Sequence, residues 1–405
     1  MNSPTITTFQ FHSAGEVIFG VNCLRSLEDV TARLKTKRLF VITDKTIAAL
    51  ELMDYFRGVL SEAGLLVHVF DGAEPEPSLD SIHRSIKIGR QFSPDTILGF
   101  GGGSVMDTAK LTATALQHGG NLRQYVGENH IPGPVLPLIC IPTTAGTGSE
   151  VSQAAVFTDV ENQVKVSVLS NFLRPNAAIV DPLLTIPCPP TVTADSGMDA
   201  LCHAIEAYTA IPYPRYPLPN GEKSVYQGKN PFADLFAEKA IRLIGKSLVE
   251  AVTNGNNLDA RTDMALAATM GGLAFSNAGV ALVHAMEYPL GGFVHCSHGR
   301  GNGMLLEHVM RYNLSTNEQA FAQIAEWLGE KTTGLGVAEA AQLSIKSVSR
   351  LRENVGMPAR LRDLGVNEEM IPVMAEKAAS ITRLMRVNPR SPQVQEILEI
   401  YKTAY

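Results

Sequence analysis

The chain has 405 residues, of which 45% are hydrophobic and 18% are charged, and its formal net charge at pH 7 is −6. This composition excludes a disordered chain and is typical of a globular protein long enough for two domains. A mildly acidic protein binds polyanions poorly, because phosphate contacts need clustered lysine and arginine. We therefore expect no nucleic acid partner.

Short apolar runs alternate with helix-length segments in the first half of the chain. Runs rich in aliphatic and aromatic residues predict five strands, at Arg38–Thr43, Leu65–Phe70, Thr96–Phe100, Val135–Ile141 and Ala177–Val180. Strands separated by helices indicate parallel βαβ units, and we therefore predict a doubly wound parallel sheet.

The strand signal fades after residues 186–190, a proline-rich stretch that we take as a domain boundary. A periodicity of 3.6 residues then predicts long helices, among them Asp234–Val252, Asp259–Phe275 and Asn317–Leu328. We predict an α/β domain over 1–188 and an all-α domain over 189–405, which meet at a cleft. Residues 211–231 contain five prolines and two glycines and are expected to form an irregular excursion from the helices.

Scattered cysteines and the N-terminal composition bear on location. The five cysteines include no Cys-x-x-Cys pair, which is typical of free thiols in a reducing compartment. Residues 1–22 contain no lysine or arginine, unlike a secretory signal or a transit peptide. Because no apolar run is long enough to span a bilayer, we expect a cytoplasmic protein with no membrane partner.

Three glycines and a serine follow the third predicted strand and precede a predicted helix over Val105–Thr114. Glycines let the backbone approach a pyrophosphate closely, and the free N–H groups at the helix start bind its charge. The run lacks the third glycine of the G-x-G-x-x-G pattern, since Met106 stands there, and a tight turn without a ligand is the alternative. The candidate dinucleotide turn consists of Gly101, Gly102, Gly103 and Ser104.

Two further features support a dinucleotide site. The polar loop Pro142–Glu150 follows a buried strand, and its hydroxyl and N–H groups suit phosphate, ribose or adenine contacts. Asp44 stands at the carboxyl end of the first strand, where a carboxylate can bind ribose hydroxyls and would repel a 2′-phosphate. Asp44 therefore favours NAD over NADP, with capping of the following helix as its alternative role.

Four residues form a candidate metal site. Asp199 and His203 stand at i and i+4 of a predicted helix, so they project from one face as an ion pair or half of a metal site. His284 and His298 lie in apolar or small-residue sequence, where a single histidine is more often a core residue. Together one carboxylate and three imidazoles suit Fe²⁺, Zn²⁺ or Co²⁺.

At these residues the sequence resembles the iron-containing (group III) alcohol dehydrogenase family, over nearly the whole chain. The likeness is carried by GGGSVMDTAK (101–110), IPTTAGTGSEV (141–151), GMDALCHAIEAY (197–208), a long block over 275–313 and the tail over 388–405. The block over 275–313 is specific enough to make a chance match a poor explanation.

The resemblance implies an N-terminal Rossmann-like domain that binds NAD and a C-terminal helical domain that holds the metal, an architecture shared with dehydroquinate synthase. It implies an alcohol or aldehyde substrate and a homo-oligomer. It places the metal, Fe²⁺ by expectation with Zn²⁺ as the alternative, on Asp199, His203, His284 and His298. The implied cofactor contacts are Asp44, Gly101 to Ser104, Asp107, Thr143, Thr144, Ser149 and Lys165, the last near the nicotinamide ribose.

Three features depart from the family pattern. Many members carry a histidine four residues after position 284, credited with proton relay, but this chain has Tyr288 there, preceded by Glu287. Glu76 stands where asparagine is usual. The segment 211–231 is longer than in the short bacterial members, and with Tyr288 it is similar to the hydroxyacid-oxoacid transhydrogenase branch, which acts on 4-hydroxybutyrate and related acids.

The expected reaction is hydride transfer between NAD(H) and an alcohol/aldehyde pair, for which a divalent metal supplies a Lewis acid. Tyr288, His295 and hydroxyls of the cofactor ribose are candidates for proton transfer, and orientation of a carboxylate-bearing substrate or core packing are the alternative roles of Tyr288. Because proline interrupts helices, Pro289 predicts that the helix carrying His284 and Tyr288 ends nearby. Three alternatives stay open: a transhydrogenase or 4-hydroxybutyrate dehydrogenase, a dehydroquinate-synthase-like lyase, and a non-catalytic protein with a structural metal.

Overall fold

The computed structural model describes residues 8–159, 164–216, 218 and 224–405. Contacts divide these residues into two compact units. The α/β unit comprises the described residues of 12–188 with 224 and 225, and the helical unit comprises residues 8–11, 189–216, 218 and 226–405. The predicted fold class, a parallel sheet with helices followed by a helical part, is confirmed. The functional domains 1–188 and 189–405 stay a prediction.

The strands of the α/β unit are β1 (Val17–Phe19), β2 (Arg38–Ile42), β3 (Leu66–Phe70), β4 (Thr96–Gly101), β5 (Gly127–Glu128), β6 (Leu138–Pro142), β7 (Ala154–Asp159), β8 (Val164–Leu169) and β9 (Ala177–Val180). Its α-helices are α1 (Leu27–Arg33), α2 (Lys45–Ala48), α3 (Glu51–Glu62), α4 (Leu79–Phe92) and α5 (Gly103–His118). The five predicted strands are confirmed as β2, β3, β4, β6 and β9.

The main sheet has the order β1-β9-β6-β4-β2-β3, and its paired strands are parallel. Alternate residues of β2 pack into two different hydrophobic cores, one on each face of the sheet. Leu39 and Val41 pack with α1 and α3 on one face, whereas Phe40 and Ile42 pack with α5 on the other. Both faces are therefore covered by helices, as the doubly wound prediction requires.

A second, smaller sheet was not predicted. It has the order β5-β8-β7, with β7 and β8 antiparallel. Its buried residues Phe157 and Val168 pack against α4 and α5. This sheet fixes the position of Lys165, which lies on β8.

The helices of the helical unit are α6 (Pro190–Thr209), α7 (Pro231–Thr253), α8 (Leu258–Ala278), α9 (Leu282–Val294), α10 (His298–Asn313), α11 (Glu318–Trp327), α12 (Val337–Asn354), α13 (Met370–Ser380), α14 (Thr382–Met385) and α15 (Val394–Ala404). The three predicted helices are confirmed as α7, α8 and α11. The predicted excursion 211–231 contains a short 3-10 turn at Tyr213–Arg215, and its residues 217 and 219–223 lie outside the described residues.

Helix α6 is the buried centre of the helical unit, with most of its residues from Thr193 onward shielded from solvent. A Cβ atom added at Gly197 would lie 2.2 Å from Leu248 of α7, and one added at Gly271 of α8 would lie 3.2 Å from the carbonyl oxygen of Ala200. These glycines therefore let α7 and α8 approach α6 closely, and the polar residues of α6 are held in a packed environment.

The prediction that Pro289 ends its helix is wrong, because α9 continues through Pro289 to Val294. Proline removes the N–H that would donate to the carbonyl of Ala285. Burial of the helix compensates: residues from Leu282 to Met286 are almost fully shielded, and the hydroxyl of Tyr401 donates to the neighbouring carbonyl of Met286. Tertiary packing therefore outweighs the local helix-breaking tendency.

Within the described residues, no single helix has both the length and the apolarity to cross a bilayer. Among the described helices, α8 and α9 meet both criteria only when taken together, and this pair is bent by 105°.

Candidate functional site

Two predicted metal ligands lie on one face of α6. Asp199 and His203 are one turn apart, and Nε2 of His203 lies 3.8 Å from Oδ1 of Asp199. Both side chains are about 95% buried or more. The imidazole of His203 stacks on Phe275 of α8, with 4.2 Å between the ring centroids. Packing on α8 thus fixes the direction in which this histidine points.

The other two predicted ligands come from the starts of α9 and α10. Nε2 of His284 and Nε2 of His298 each lie 3.9 Å from the same oxygen, Oδ1 of Asp199. Ligand atoms of Asp199, His284 and His298 all lie within 4.8 Å of one another. The structure therefore brings all four predicted residues together, with three imidazole nitrogens around one carboxylate oxygen.

Two carboxylates that the sequence did not single out as site residues orient the histidines. Nδ1 of His284 donates to Glu206 at 2.6 Å, and Nδ1 of His298 donates to Glu287. A histidine that donates from Nδ1 presents an unprotonated Nε2, which is the form that binds metals. The carboxylates therefore set the tautomer that directs both lone pairs toward Asp199.

Glu206 also holds the start of α9. Its carboxylate accepts hydrogen bonds from the backbone N–H groups of Ala281 at 2.9 Å and Val283 at 2.7 Å. The first N–H groups of a helix have no partner within the helix, so an external carboxylate satisfies them. The same side chain thus places the helix and orients its histidine.

Asp199 is suited to serve as an anionic ligand. Burial by itself would raise the pKa of this carboxyl group, but His203, His298 and His284 and a hydrogen bond from Asn302 lower the pKa overall. The carboxylate of Asp199 therefore remains ionised at neutral pH although it is buried.

The arrangement fits a divalent cation of borderline hardness. Two ligand atoms that each lie about 2.1 Å from one ion can be at most about 4.2 Å apart. The separations of 3.8 and 3.9 Å from Asp199 Oδ1 lie within that limit. The side chain of His298 is 35% exposed while that of Asp199 is 3% exposed, so the group opens on the His298 side.

The two predicted catalytic residues differ in their relation to this group. Tyr288 is half-buried on α9, and its ring centroid lies 6.2 Å from that of His298. His295 ends α9 in the left-handed conformation, with φ of 53°, and is exposed. Among the described residues we find no hydrogen bond or ring contact of the His295 side chain. The structure therefore brings Tyr288, and not His295, against a predicted ligand.

The predicted dinucleotide turn and the predicted loop lie side by side in the α/β unit. Strands β4 and β6 are neighbours, with Gly101 opposite Pro142, and the N–H of Thr143 donates to the carbonyl of Gly101 at 3.0 Å. A Cβ atom added at Gly103 would lie 2.7 Å from Thr147. Glycine is therefore required for this approach, which places the free N–H groups of α5 beside the hydroxyls of the loop.

Asp107 and Ser149 hold the loop in place. The carboxylate of Asp107 accepts from the Ser149 hydroxyl at 2.8 Å and from the N–H of Val156 at 3.0 Å. Lys110, which the sequence analysis did not single out, is fully buried and donates to oxygens of Ser149, Ser152 and Ala154. Burial lowers the pKa of Lys110. These contacts give the three residues a structural role, and contact of Asp107 and Ser149 with a cofactor stays a prediction.

Three predicted cofactor residues remain: Asp44 follows β2, Thr144 lies in the loop after β6, and Lys165 lies on β8. Asp44 caps α2 by accepting from the N–H of Ile47 at 2.9 Å, so its alternative role is present in the structure. Thr144 is half-buried in the loop. Lys165 forms an ion pair of 2.7 Å with Glu76, whose N–H donates to the Ser104 hydroxyl at 3.2 Å. The Glu76–Lys165 pair therefore lies beside the start of α5.

Comparison with known proteins decides the family. The sequence matches the family models "Iron-containing alcohol dehydrogenase" over residues 14–182 and "Fe-containing alcohol dehydrogenase family, C-terminal" over residues 221–405. This chain belongs to the iron-containing alcohol dehydrogenase family. The family resemblance inferred from the sequence motifs is confirmed, and the chain is an oxidoreductase.

Similar family members are known across the full length. The 1,3-propanediol dehydrogenase of Klebsiella pneumoniae is 40% identical over 96% of this chain and 96% of its own length. The NAD-dependent methanol dehydrogenase of Bacillus methanolicus is 37% identical over 94% of this chain and 96% of its own. A crystal structure of a 1,3-propanediol oxidoreductase has a TM-score of 0.92 at 39% identity, covering 98% of this chain and 100% of that one.

These relatives bear on the alternatives and the cofactors. A transhydrogenase, a 4-hydroxybutyrate dehydrogenase and a dehydroquinate-synthase-like lyase are not favoured, because the similar proteins are alcohol and propanediol dehydrogenases. Family membership supports NAD and a divalent metal as the cofactors, with iron typical of the family.

Proposed function

We propose that this chain is an NAD-dependent dehydrogenase of primary alcohols whose metal is held by Asp199, His203, His284 and His298. The observation that carries the proposal is the placement of three histidine Nε2 atoms 3.8 to 3.9 Å from one oxygen of Asp199. An ordinary ion pair needs one histidine beside a carboxylate, whereas three imidazoles around one oxygen match a metal ligand set.

Fe²⁺ is the proposed ion, with Zn²⁺ as the alternative, because both accept this mixture of nitrogen and oxygen ligands. When bound, such an ion supplies a Lewis acid for the substrate oxygen, and the nicotinamide supplies the hydride acceptor or donor. The chain itself supplies orientation. Glu206 and Glu287 fix the two imidazoles of His284 and His298 through Nδ1, and burial of the group limits competing water.

NAD is proposed to bind at the turn Gly101–Ser104 and the adjoining loop with Thr143, Thr144 and Ser149. The support is the adjacency of the two loops at the start of α5, a 16-residue helix. Asp44, at the end of β2, is proposed to receive the adenosine ribose, because its half-buried side chain keeps a face open while it caps α2. Lys165 and Asp107 complete the proposed cofactor residues.

Tyr288 is the proposed proton-transfer residue. Its ring lies beside His298, on the exposed side of the ligand group, where a substrate can approach. A phenol there can form a hydrogen bond with the substrate oxygen. It can then take up the proton of the substrate hydroxyl while it releases its own proton to solvent. His295, exposed at the end of α9, is kept as the second candidate.

Short primary alcohols and diols are the proposed substrates. The support is the similarity at 40% and 37% identity to enzymes named for 1,3-propanediol and methanol. A cytoplasmic location is supported by the five cysteines, which are all free. A homo-oligomer is supported by the exposed apolar side chains of Phe232 and Leu235 on α7.

The test is metal reconstitution followed by assay. Protein stripped by a chelator is loaded with Fe²⁺ under argon or with Zn²⁺, and NADH formation is followed with methanol, butan-1-ol and 1,3-propanediol. Asp199→Ala and His284→Ala should lose bound metal and nearly all turnover while keeping the fold. His308→Gln, on α10 outside the ligand group, is the matched control and should keep both. Wild-type metal content in the two ligand variants would contradict the proposal.

A further inference from the structure

Asn302 lies in the middle of the ligand group. It is on α10, one turn after His298, and its side chain is fully buried. Its amide nitrogen Nδ2 lies 2.8 Å from Oδ1 of Asp199, 3.2 Å from Nε2 of His284 and 3.1 Å from Nε2 of His298. One atom of Asn302 therefore contacts three of the atoms that the proposed function assigns to the metal.

The amide can present either of two atoms to this point. With Nδ2 inward, its two N–H groups face three acceptors, a carboxylate oxygen and two imidazole lone pairs. Its oxygen Oδ1 is then buried, with no hydrogen-bond partner among the described residues. A buried acceptor without a partner costs free energy, and a half-turn about the Cβ–Cγ bond exchanges the two atoms with little movement of the rest of the side chain.

A cation at this point reverses the preference between the two atoms. The N–H groups carry partial positive charge and are repelled by a metal ion, whereas an amide oxygen is an established type of protein ligand for divalent cations. The oxygen that lacks a partner would then gain one. The direction of the exchange follows from the positive charge of the ion and from the lone pairs of Asp199, His284 and His298 that face the same point.

We propose that Asn302 is a fifth residue of the metal site, whose amide oxygen joins Asp199 and the histidines when the ion binds. The inference rests on the proposed function, since it needs the four-residue site to bind metal. In this proposal Asn302 helps to hold the ion, and it also aligns the ligand atoms of Asp199, His284 and His298.

A purely structural role is the competing explanation, because Asn302 is buried between helices. Two variants separate the roles. Asn302→Leu keeps the approximate volume and removes the amide, and Asn302→Asp keeps the shape and replaces the amide by a carboxylate. Asn313 offers a matched control on the same helix, since its buried amide pairs with Asn388 and not with the ligand group.

The first measurement is the affinity for Zn²⁺, by competition with a chromogenic chelator. Asn302→Leu should bind Zn²⁺ on the order of 10-fold to 100-fold more weakly than wild type, the range known for residues that support metal ligands. Asn302→Asp should bind it at least as tightly as wild type, because a carboxylate replaces a neutral ligand. Asn313→Leu and Asn313→Asp should leave the affinity unchanged.

The second measurement is thermal unfolding with and without Zn²⁺. Without the ion, Asn302→Asp should melt below wild type, because two carboxylates are then adjacent in a buried group. Zn²⁺ should raise its melting temperature by more than it raises that of wild type. The Co²⁺-loaded wild type and Asn302→Leu should also differ in visible absorption, because the number of ligands changes.

The outcomes separate the inference from the proposed function. If wild type binds one ion and Asn302→Leu binds it with equal affinity, the inference is wrong and the four-residue site stands. If both Asn302 variants lose affinity equally, the role is structural and the inference is also wrong. If wild type binds no ion, the proposed function and the inference are both overturned.

Discussion

Glu206 on α6 and His284 on α9, 78 residues apart in the sequence, are joined by a 2.6 Å hydrogen bond between Oε2 and Nδ1. Both side chains are at least 95% buried. The carboxylate therefore has no water to replace the imidazole as its partner, and the imidazole has no freedom to turn its Nε2 away from Asp199.

Replacing Glu206 should weaken metal binding without removing a ligand. In Glu206→Gln the neutral amide no longer stabilises an Nδ1–H donor as strongly, and the basicity of Nε2 falls. We expect the affinity for Zn²⁺ to fall 10-fold to 100-fold, about 1.4 to 2.7 kcal/mol. Chelator competition measures this. Glu238→Gln, on the exposed surface of α7, should leave the affinity unchanged, and an unchanged affinity in Glu206→Gln would show that this hydrogen bond serves packing alone.

The choice between NAD and NADP is expected to depend on the charge of Asp44. Asparagine is also a good N-cap, so Asp44→Asn should keep the hydrogen bond from Ile47 and remove only the charge. Without repulsion of a 2′-phosphate, the kcat/KM with NADP should rise relative to that with NAD, on the order of 10-fold. Steady-state kinetics with both cofactors check this. If the ratio stays as in wild type, Asp44 acts only as a cap.

The Glu76–Lys165 pair is expected to weaken cofactor binding. Glu76 places a negative charge beside the start of α5, where the pyrophosphate is proposed to bind, and it neutralises Lys165 at 2.7 Å. Glu76→Gln should therefore raise the affinity for NADH about threefold to tenfold, and the gain should shrink at high salt. Titration of NADH fluorescence at two ionic strengths measures this.

A nearby glutamate supplies the control for Glu76. Glu74 lies two residues earlier, and its carboxylate pairs with Arg84 and Ser78 instead of Lys165. Glu74→Gln makes the same change of charge in the same segment and should leave NADH affinity within about twofold of wild type. Equal gains in the two variants would mean that general surface charge, and not the pair with Lys165, sets the affinity.

Tyr288→Phe is expected to lower kcat on the order of 100-fold, the typical contribution of a general acid or base. Metal content should stay at the wild-type value, because Tyr288 contacts the ring of His298 and is not among the ligand atoms. Assay with butan-1-ol and metal analysis on the same preparation provide both readouts. Tyr312→Phe, on α10 beside Arg390, is the control. Undiminished kcat would make Tyr288 a packing residue and leave His295 as the candidate.

Local sequence patterns predicted much of the fold. The buried strands β2, β4 and β6 are nearly continuous apolar runs, and the glycine turn follows β4 directly. The strands and the turn could therefore be predicted from the sequence. The second sheet was missed, although β8 alternates polar and apolar residues. Its stability depends on packing against α4 and α5, which a search for buried runs does not detect.

The four proposed ligands could be predicted because histidine and aspartate are rare in apolar sequence, whereas the residues that support them could not. Glu206 looks like any glutamate in a helix, and its role depends on backbone groups 75 and 77 residues away. Asn302 stands among glycines at the start of α10, and only the convergence of α6, α9 and α10 shows what it contacts. Such roles arise from tertiary contacts that sequence spacing does not encode.

The contact between Glu287 and Gly301 links two positions that are 14 residues apart. A Cβ atom added at Gly301 would lie 2.8 Å from Cγ of Glu287, so even alanine there would displace the carboxylate that holds His298. A larger residue at position 301 therefore requires that Glu287 shifts or is replaced. Among descendants of this chain, a bulkier residue at 301 should occur together with a smaller residue at 287, and the two positions should covary.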